Sequence, residues 1–322
     1  MTVTVFRSTD VGAPTLTGAT GSLIGVLDAC LVNGYGSKSA LGWTKAFTGT
    51  NRASYQASTG NKLYLDVKDD IAGSSTDWYT AVRGYETMSA VGTGTGLFPT
   101  TAQVAADTFY WQKSIESSSA TAVSWMLIGN QKTFYLWARL LSTDTAAPNG
   151  DNGYFCAFGE FTSFRSSDAY NTIIIGQTTH SSPSTNNTVA SLVSAMNVSS
   201  TGHYVARSFT QSGTSVTVGK TSDAHKAGGA TLCGQTTGVT QLVYPNPEDG
   251  GLYIAPVWIN ESAVNSLRGI LPGFWNPLHV APLVTHDTFT GTGNLAGKTF
   301  EGLTTTYSSV KGQVFIETSN TW

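Results

Sequence analysis

Lys62-Leu63-Tyr64-Leu65-Asp66-Val67 alternates strictly: Leu63, Leu65 and Val67 share one face, and Lys62, Tyr64 and Asp66 take the other. A period of two marks a half-buried β-strand, because successive side chains on a pleated backbone point to opposite sides. Arg52 to Ala57 precedes it, and Ser58-Thr59-Gly60-Asn61 between them has turn chemistry, so the pair reads as a hairpin. A second hairpin follows in Ser124 to Ile128, Gly129-Asn130-Gln131 and Lys132 to Leu141, with Trp125, Phe134, Tyr135 and Trp137 on its strands. A third joins Tyr204 to Thr210 with Ser215 to Gly219 through Gln211-Ser212-Gly213-Thr214. Further strands are expected at 2–7, 108–113, 154–164, 172–178, 240–244, 252–259, 298–304 and 312–318.

One segment has the other period. Leu23, Val26, Leu27, Cys30 and Leu31 fall at i, i+3, i+4, i+7 and i+8, which predicts an amphipathic helix over 22–33, with Ser22 as N-cap and Gly34 or Gly36 as its end. Many strands with a single N-terminal helix predict a mainly β protein of antiparallel, sandwich- or barrel-like sheets. Residues 181–202 are rich in Ser, Thr and Asn and read as a loop or linker. They divide a β-rich region over 1–180 from another over 203–322; a single large domain is the alternative.

Of the 322 residues only 11% are charged, against roughly 25% in ordinary soluble domains. The 17 basic and 20 acidic residues leave a net charge of -3, in no basic or acidic block, which excludes a nucleic-acid footprint and a polybasic membrane patch. Ser and Thr supply 81 residues, so the polar surface is built mainly from hydroxyls and backbone. The start, MTVTVFRSTD, lacks the basic and apolar regions of a secretory signal, and the apolar stretch near 23–32 is too short to span a bilayer. Synthesis in a cytosol and no membrane insertion are therefore expected. Cys30, Cys156 and Cys233 are far apart and form no CxxC pair, so they read as buried thiols acting as small hydrophobes.

The chain has no GxSxG elbow, P-loop or HExxH motif. Gly92-Thr93-Gly94-Thr95-Gly96 runs into Leu97-Phe98-Pro99 and reads as a plain turn. Asn149-Gly150-Asp151-Asn152-Gly153 lacks the register of a calcium loop. The histidines, His180, His203, His225, His279 and His286, are scattered, and no metal or cofactor site is expected. Paired carboxylates suffice for glycoside cleavage. The candidates are Asp66, Asp69, Asp70, Glu86, Glu160, Glu248 and Asp249, with Asp69-Asp70 expected in a solvated loop and Glu160 in an apolar setting. The 8 Trp, 13 Tyr and 14 Phe suit core and interface packing, and secondarily stacking on sugar rings. Packing or assembly positions are expected at Leu23, Leu27, Leu31, Trp137, Phe274 and Trp275. Residues 267–282 combine apolar side chains with Pro272, Pro277 and Pro282, which predicts an irregular crossing, not a central strand, with Trp275 mostly buried.

Gly21-Ser22-Leu23-Ile24-Gly25-Val26-Leu27-Asp28-Ala29-Cys30-Leu31-Val32-Asn33-Gly34-Tyr35-Gly36, followed by Gly42-Trp43-Thr44-Lys45, resembles the N-terminal region of virion structural proteins of tailed bacteriophages. Arg83-Gly84-Tyr85-Glu86, Lys132-Thr133-Phe134-Tyr135-Leu136-Trp137, the stretch from Leu267 to His279 and the ending Glu317-Thr318-Ser319-Asn320-Thr321-Trp322 are similar to later segments of the same group. The resemblance implies a virion component and supplies no catalytic residue; it leaves the place in the particle open, and a tail or baseplate position with homo-oligomeric assembly in place of catalysis is the expectation. Capsid decoration, a neck or collar position, or a carbohydrate-binding module for host recognition are the alternatives. The expected partners are copies of itself, other virion proteins and, on the last alternative, a host surface glycan.

Overall fold

The computed structural model describes residues 2–70, 78–139, 142, 153–178, 202–220, 250–261, 266–277, 281–307, 310–319 and 321–322. The chain begins with β1 (Thr4–Arg7) and the short helix α1 (Ser22–Leu27), which continues as a π-helical segment over Asp28–Asn33. Then come β2 (Thr44–Gly49), β3 (Arg52–Gln56), β4 (Tyr64–Lys68), β5 (Trp78–Tyr85), β6 (Thr87–Ala90), β7 (Thr93–Thr95) and β8 (Tyr110–Ser114). They are followed by β9 (Trp125–Gly129), β10 (Thr133–Arg139), β11 (Gly153–Glu160), β12 (Thr162–Ser163), β13 (Thr172–Ile175), β14 (His203–Val205) and β15 (Val216–Lys220). The chain finishes with β16 (Ile254–Glu261), β17 (Ser266–Pro277), β18 (Thr288–Thr290), β19 (Thr299–Tyr307) and β20 (Val310–Glu317).

The protein is mainly β, and its sheets are antiparallel. One long sheet runs β1-β9-β10-β11-β13-β14-β15-β16-β17-β20-β19-β18, a second runs β2-β3-β4-β5-β8, and β6 and β7 form a small ribbon. The long sheet turns back on itself at β15, whose first residues pair with β14 (Val205↔Val216) and whose last pair with β16 (Val218↔Glu261). Its two halves therefore face one another, and the five-stranded sheet covers the outer face of the first half.

Side-chain alternation shows why the first half must be the central layer. Phe134, Leu136 and Ala138 of β10 enter a core shared with α1 and the five-stranded sheet, while Tyr135 and Trp137 enter a second core shared with β16, β17, β19 and β20. On β11, Tyr154, Cys156 and Phe158 take the first core, and Phe155 and Ala157 the second. Strands apolar on both faces need cover on both faces. The second core draws on both the 1–180 and the 203–322 regions: the Phe155 and Phe274 rings are 4.9 Å apart, and the Tyr135 hydroxyl donates to the Pro272 carbonyl at 2.8 Å.

The first two hairpins form where the sequence places them. β9 and β10 pair with Phe134 opposite Gly129, and Asn130 makes the turn: its Oδ1 accepts the Lys132 and Thr133 N–H groups. β3 and β4 pair through Tyr55↔Leu65, with Leu63, Leu65 and Val67 in the core. The expected third hairpin is looser, since β14 and β15 pair only through Tyr204↔Thr217 and Val205↔Val216, with an excursion over 206–215 between them.

Three expectations need correction. Ser22 does not cap α1: its Oγ accepts the Thr17 N–H, and the Leu23 N–H is instead taken by Asp69 at 2.8 Å. The helical stretch is α-helical only to Leu27. Residues 266–277 are not an irregular crossing but β17, which lies between β16 and β20. The prolines fit because the ladder is broken where Pro272 sits. Pro256↔Trp275 and Trp258↔Ile270 are successive pairs, so Leu271 to Phe274 bulge opposite Val257. Pro272 then owes no ladder hydrogen bond, and Pro277 ends the strand. Gly273 has φ +67, and a Cβ there would lie 2.2 Å from the Trp322 indole. The expected strand at 240–244, Cys233, Glu248, Asp249, Asn149 to Asn152, His180, His225, His279 and nearly all of 181–202 lie outside the described residues.

Candidate functional site

The six packing positions do not form one surface. Leu23, Leu27 and Leu31 are buried in the first core, and Trp137 and Phe274 in the second. Trp275 is only partly buried, in a satellite cluster where its ring meets Phe300 edge-on at 6.0 Å. The tryptophans of the first core are tied inward: Trp43, Trp111 and Trp125 donate their indole N–H to the carbonyls of Asn130, Ile175 and Pro14. Much of the aromatic content that suggested sugar stacking is thus core. Cys30 and Cys156 are buried free thiols whose pKa values burial pushes well up.

The candidate carboxylates are engaged in tying elements together. Asp69, expected in a solvated loop, is fully buried. Its Oδ2 holds the start of α1, and its Oδ1 accepts Thr80 Oγ1 at 2.8 Å and Lys113 Nζ at 2.6 Å, with Lys113 equally buried. Glu86 takes a bidentate pair from Arg207, both contacts at 2.6 Å. Glu160 accepts the Asn61 N–H and lies 3.4 Å from Lys132, so its setting is polar, not apolar. Two clusters had no local signal in the sequence: Arg268, which is fully buried between Asp168 and Glu261, and Glu301, which is held by Arg7 and His286. Burial pushes the Glu301 carboxyl up, but the hydrogen bonds from Arg7 and His286 outweigh it and leave it below the ordinary value.

Asp66, one of the candidate carboxylates, lines a cleft. The inward face of the five-stranded sheet is core, and its outward face carries Ser54, Asp66 and Arg83 in one cross-strand row and Arg52, Lys68 and Ala81 in the next. The segment 86–107, which includes the β6–β7 ribbon, roofs this face and leaves a cavity of ≈ 270 Å³. Arg52 donates from Nε and a terminal nitrogen to Asp66 Oδ2 at 2.8 and 2.6 Å, and Lys68 donates to Asp107 at 2.8 Å. Arg83 has no carboxylate partner among the described residues. It donates instead to the carbonyls of Pro99, Val104 and Ala105, which pins the roof to the sheet. Burial lowers the Arg83 pKa from its ordinary value, although the Asp107 carboxylate partly offsets it.

Gly92 closes one wall. It has φ +64, its N–H donates to Asp66 Oδ1 at 3.2 Å, and a Cβ would lie 2.3 Å from the Arg52 guanidinium. The signal that could have revealed this cleft is the density of charge at alternating positions of 52–68 in a chain otherwise poor in charge.

A second cleft, of ≈ 380 Å³, lies beside the Arg7–Glu301–His286 cluster and is also lined by Ser124 and Trp125. Among the described residues no group of three or more His, Cys, Asp or Glu side chains could hold a metal ion, and no helix is long and apolar enough to cross a membrane. No protein-family model matches the chain, and no curated protein sequence matches it.

Proposed function

We propose that the protein is a structural component of a tailed-phage virion, in the tail or baseplate, and that it acts by homo-oligomeric assembly. The observation that carries this reading is where the charges lie. Asp66, Asp69, Arg83, Lys113, Glu261, Arg268, Glu301 and Glu317 are all buried, in a chain with only 17 basic and 20 acidic residues. These eight take almost no part in the surface, so few charges remain on the outside of a chain already poor in them, which leaves little like-charge repulsion between copies and little charge to desolvate at an interface. The resemblance noted in the sequence supplies the particle type. Mass spectrometry of purified particles tests the reading: the chain should be present, and its absence would remove the proposal. Copy number then places it, with hundreds of copies indicating capsid decoration or a tail tube and few copies a neck or baseplate. Light scattering of the purified chain should show an oligomer.

Carbohydrate recognition is the second reading. The roofed cleft over Asp66, Lys68 and Arg83 favours it, in place of the aromatic content, much of which is buried.

A further inference from the structure

We propose that the roofed cleft on the five-stranded sheet binds a single carboxylate-bearing sugar ring. The proposal deepens the carbohydrate reading and does not depend on virion assembly, because it concerns one chain alone.

Size gives the first constraint. At ≈ 270 Å³ the cavity lies just below the roughly 300 Å³ at which pockets for drug-sized ligands begin, so it suits one ring and not a chain of them. Charge gives the second. Three cations, Arg52, Lys68 and Arg83, line the cavity with two carboxylates, Asp66 and Asp107, which leaves one positive charge in excess on its walls; Asp70, 3.9 Å from Lys68, is exposed and lies outside the lining. Arg83 contributes that excess, since carbonyl dipoles satisfy its hydrogen bonds without neutralising its charge.

The arrangement also argues against a bare inorganic anion. Cationic donors and carboxylate acceptors both line the cavity, and a compact anion would meet the repulsion of Asp66 and Asp107. A ligand that fits must accept from guanidinium and ammonium groups, donate to carboxylates and carry one net negative charge. Sugar hydroxyls do the first two together, and a ring carboxylate supplies the third. Tyr85 adds a largely buried ring to the wall, and the side chains of Lys68 and Asp107, 28% and 42% exposed, form the mouth where a ligand enters.

Calorimetric titration of the purified full chain at low salt with D-glucuronate, D-glucose, acetate and inorganic phosphate tests this. Glucuronate should bind, with glucose and acetate each about tenfold weaker, the worth of one charge-assisted contact. Two mouth variants have opposite signs: Lys68→Gln weakens glucuronate binding, Asp107→Asn tightens it, and neither changes the weak glucose response. Gly92→Val, which fills the cradle beside Arg52, abolishes binding. Melting temperatures of Lys68→Gln and Asp107→Asn close to the parent's show that the fold is intact, so the signed pair stays decisive even if Gly92→Val unfolds. Equal binding of glucuronate and glucose, equal binding of glucuronate and acetate or phosphate, or no binding at tens of millimolar would each overturn the proposal. The first two outcomes remove the acidic-sugar class; the third removes the site and leaves the assembly proposal untouched.

Discussion

Lys113→Met should be among the most damaging conservative changes in the protein. Lys113 and Asp69 are both fully buried, and the ammonium donates to Asp69 Oδ1 at 2.6 Å and to the Ala19 carbonyl at 2.9 Å. Methionine keeps the length and most of the volume but removes the charge. Asp69 is then left as an uncompensated buried carboxylate, and breaking a buried pair in this way costs about 3–5 kcal/mol. The same carboxylate holds the Leu23 N–H at the start of α1, a cap worth on the order of 1 kcal/mol, so Asp69→Ala should cost at least as much.

Asp69→Asn in the Lys113→Met background separates charge from hydrogen bonding. The amide oxygen can still accept from Leu23, and the stranded charge is gone, so the double variant should recover roughly 1–3 kcal/mol of the loss. Urea denaturation gives these differences directly. At about 2 °C per kcal/mol for a chain of this size, the Lys113→Met melting temperature should fall by roughly 6–10 °C. A loss below about 1 kcal/mol, or a double variant less stable than the sum of its singles, would refute the reasoning, because the pair would then behave as a surface ion pair.

The two neighbouring aromatics of β17 should separate in the same assay. Phe274→Ala, at a fully buried site, should cost about 3–5 kcal/mol, and Trp275→Ala clearly less; equal losses would contradict the different burial of the two rings. Cys30 and Cys156 should resist iodoacetamide in the native protein and label only on unfolding, read peptide by peptide in a mass spectrometer. Native labelling of either would count against a buried, protonated thiol. Glu301 has a pKa below its ordinary value, so it contributes stability above the unfolded carboxylate pKa, and that contribution is lost as pH falls through the lower folded value. Glu301→Gln should therefore flatten the acid limb of the plot of melting temperature against pH; superimposable limbs would sink this account.

The parts of the fold that were legible in the sequence are those set by local chemistry. Two aromatic-rich apolar runs separated by Gly129-Asn130-Gln131 define the β9–β10 hairpin wherever it packs, and the stripe through Leu23, Leu27 and Leu31 defines a helix face. Parts set by distant partners were not legible. The prolines of β17 argued against a strand because nothing local reveals the bulge opposite Val257 that accommodates Pro272. Asp69 looked solvated because Ala72-Gly73-Ser74-Ser75 follows it, while the lysine that compensates it is 44 residues away. The cleft has the same character. Asp66 could be placed on the outward face of its strand, but that face becomes a cavity only through the roof that Arg83 pins, and Arg83 lies on a different strand from Asp66.

These buried pairs bear on why so charge-poor a chain should keep charge inside at all. A buried ion pair adds little net stability over a well-packed apolar pair, because desolvation offsets most of the attraction. What it adds is cost to the wrong arrangement: a misregistered neighbour strands a charge. Asp69–Lys113 joins the end of β4 to β8, with Asp69 also holding the start of α1, Arg268 with Asp168 and Glu261 joins β16 and β17 to the β12–β13 connection, and Arg7–Glu301 joins β1 to β19. Asp69–Lys113, Arg268–Asp168 and Arg7–Glu301 span junctions between residues 44, 100 and 294 positions apart, where alternation alone leaves register open. A protein with many Thr-rich antiparallel strands and similar apolar faces has many near-equivalent pairings to reject. Placing scarce charges at those junctions selects one pairing and leaves the exterior nearly neutral, which is also the exterior that the proposed assembly requires.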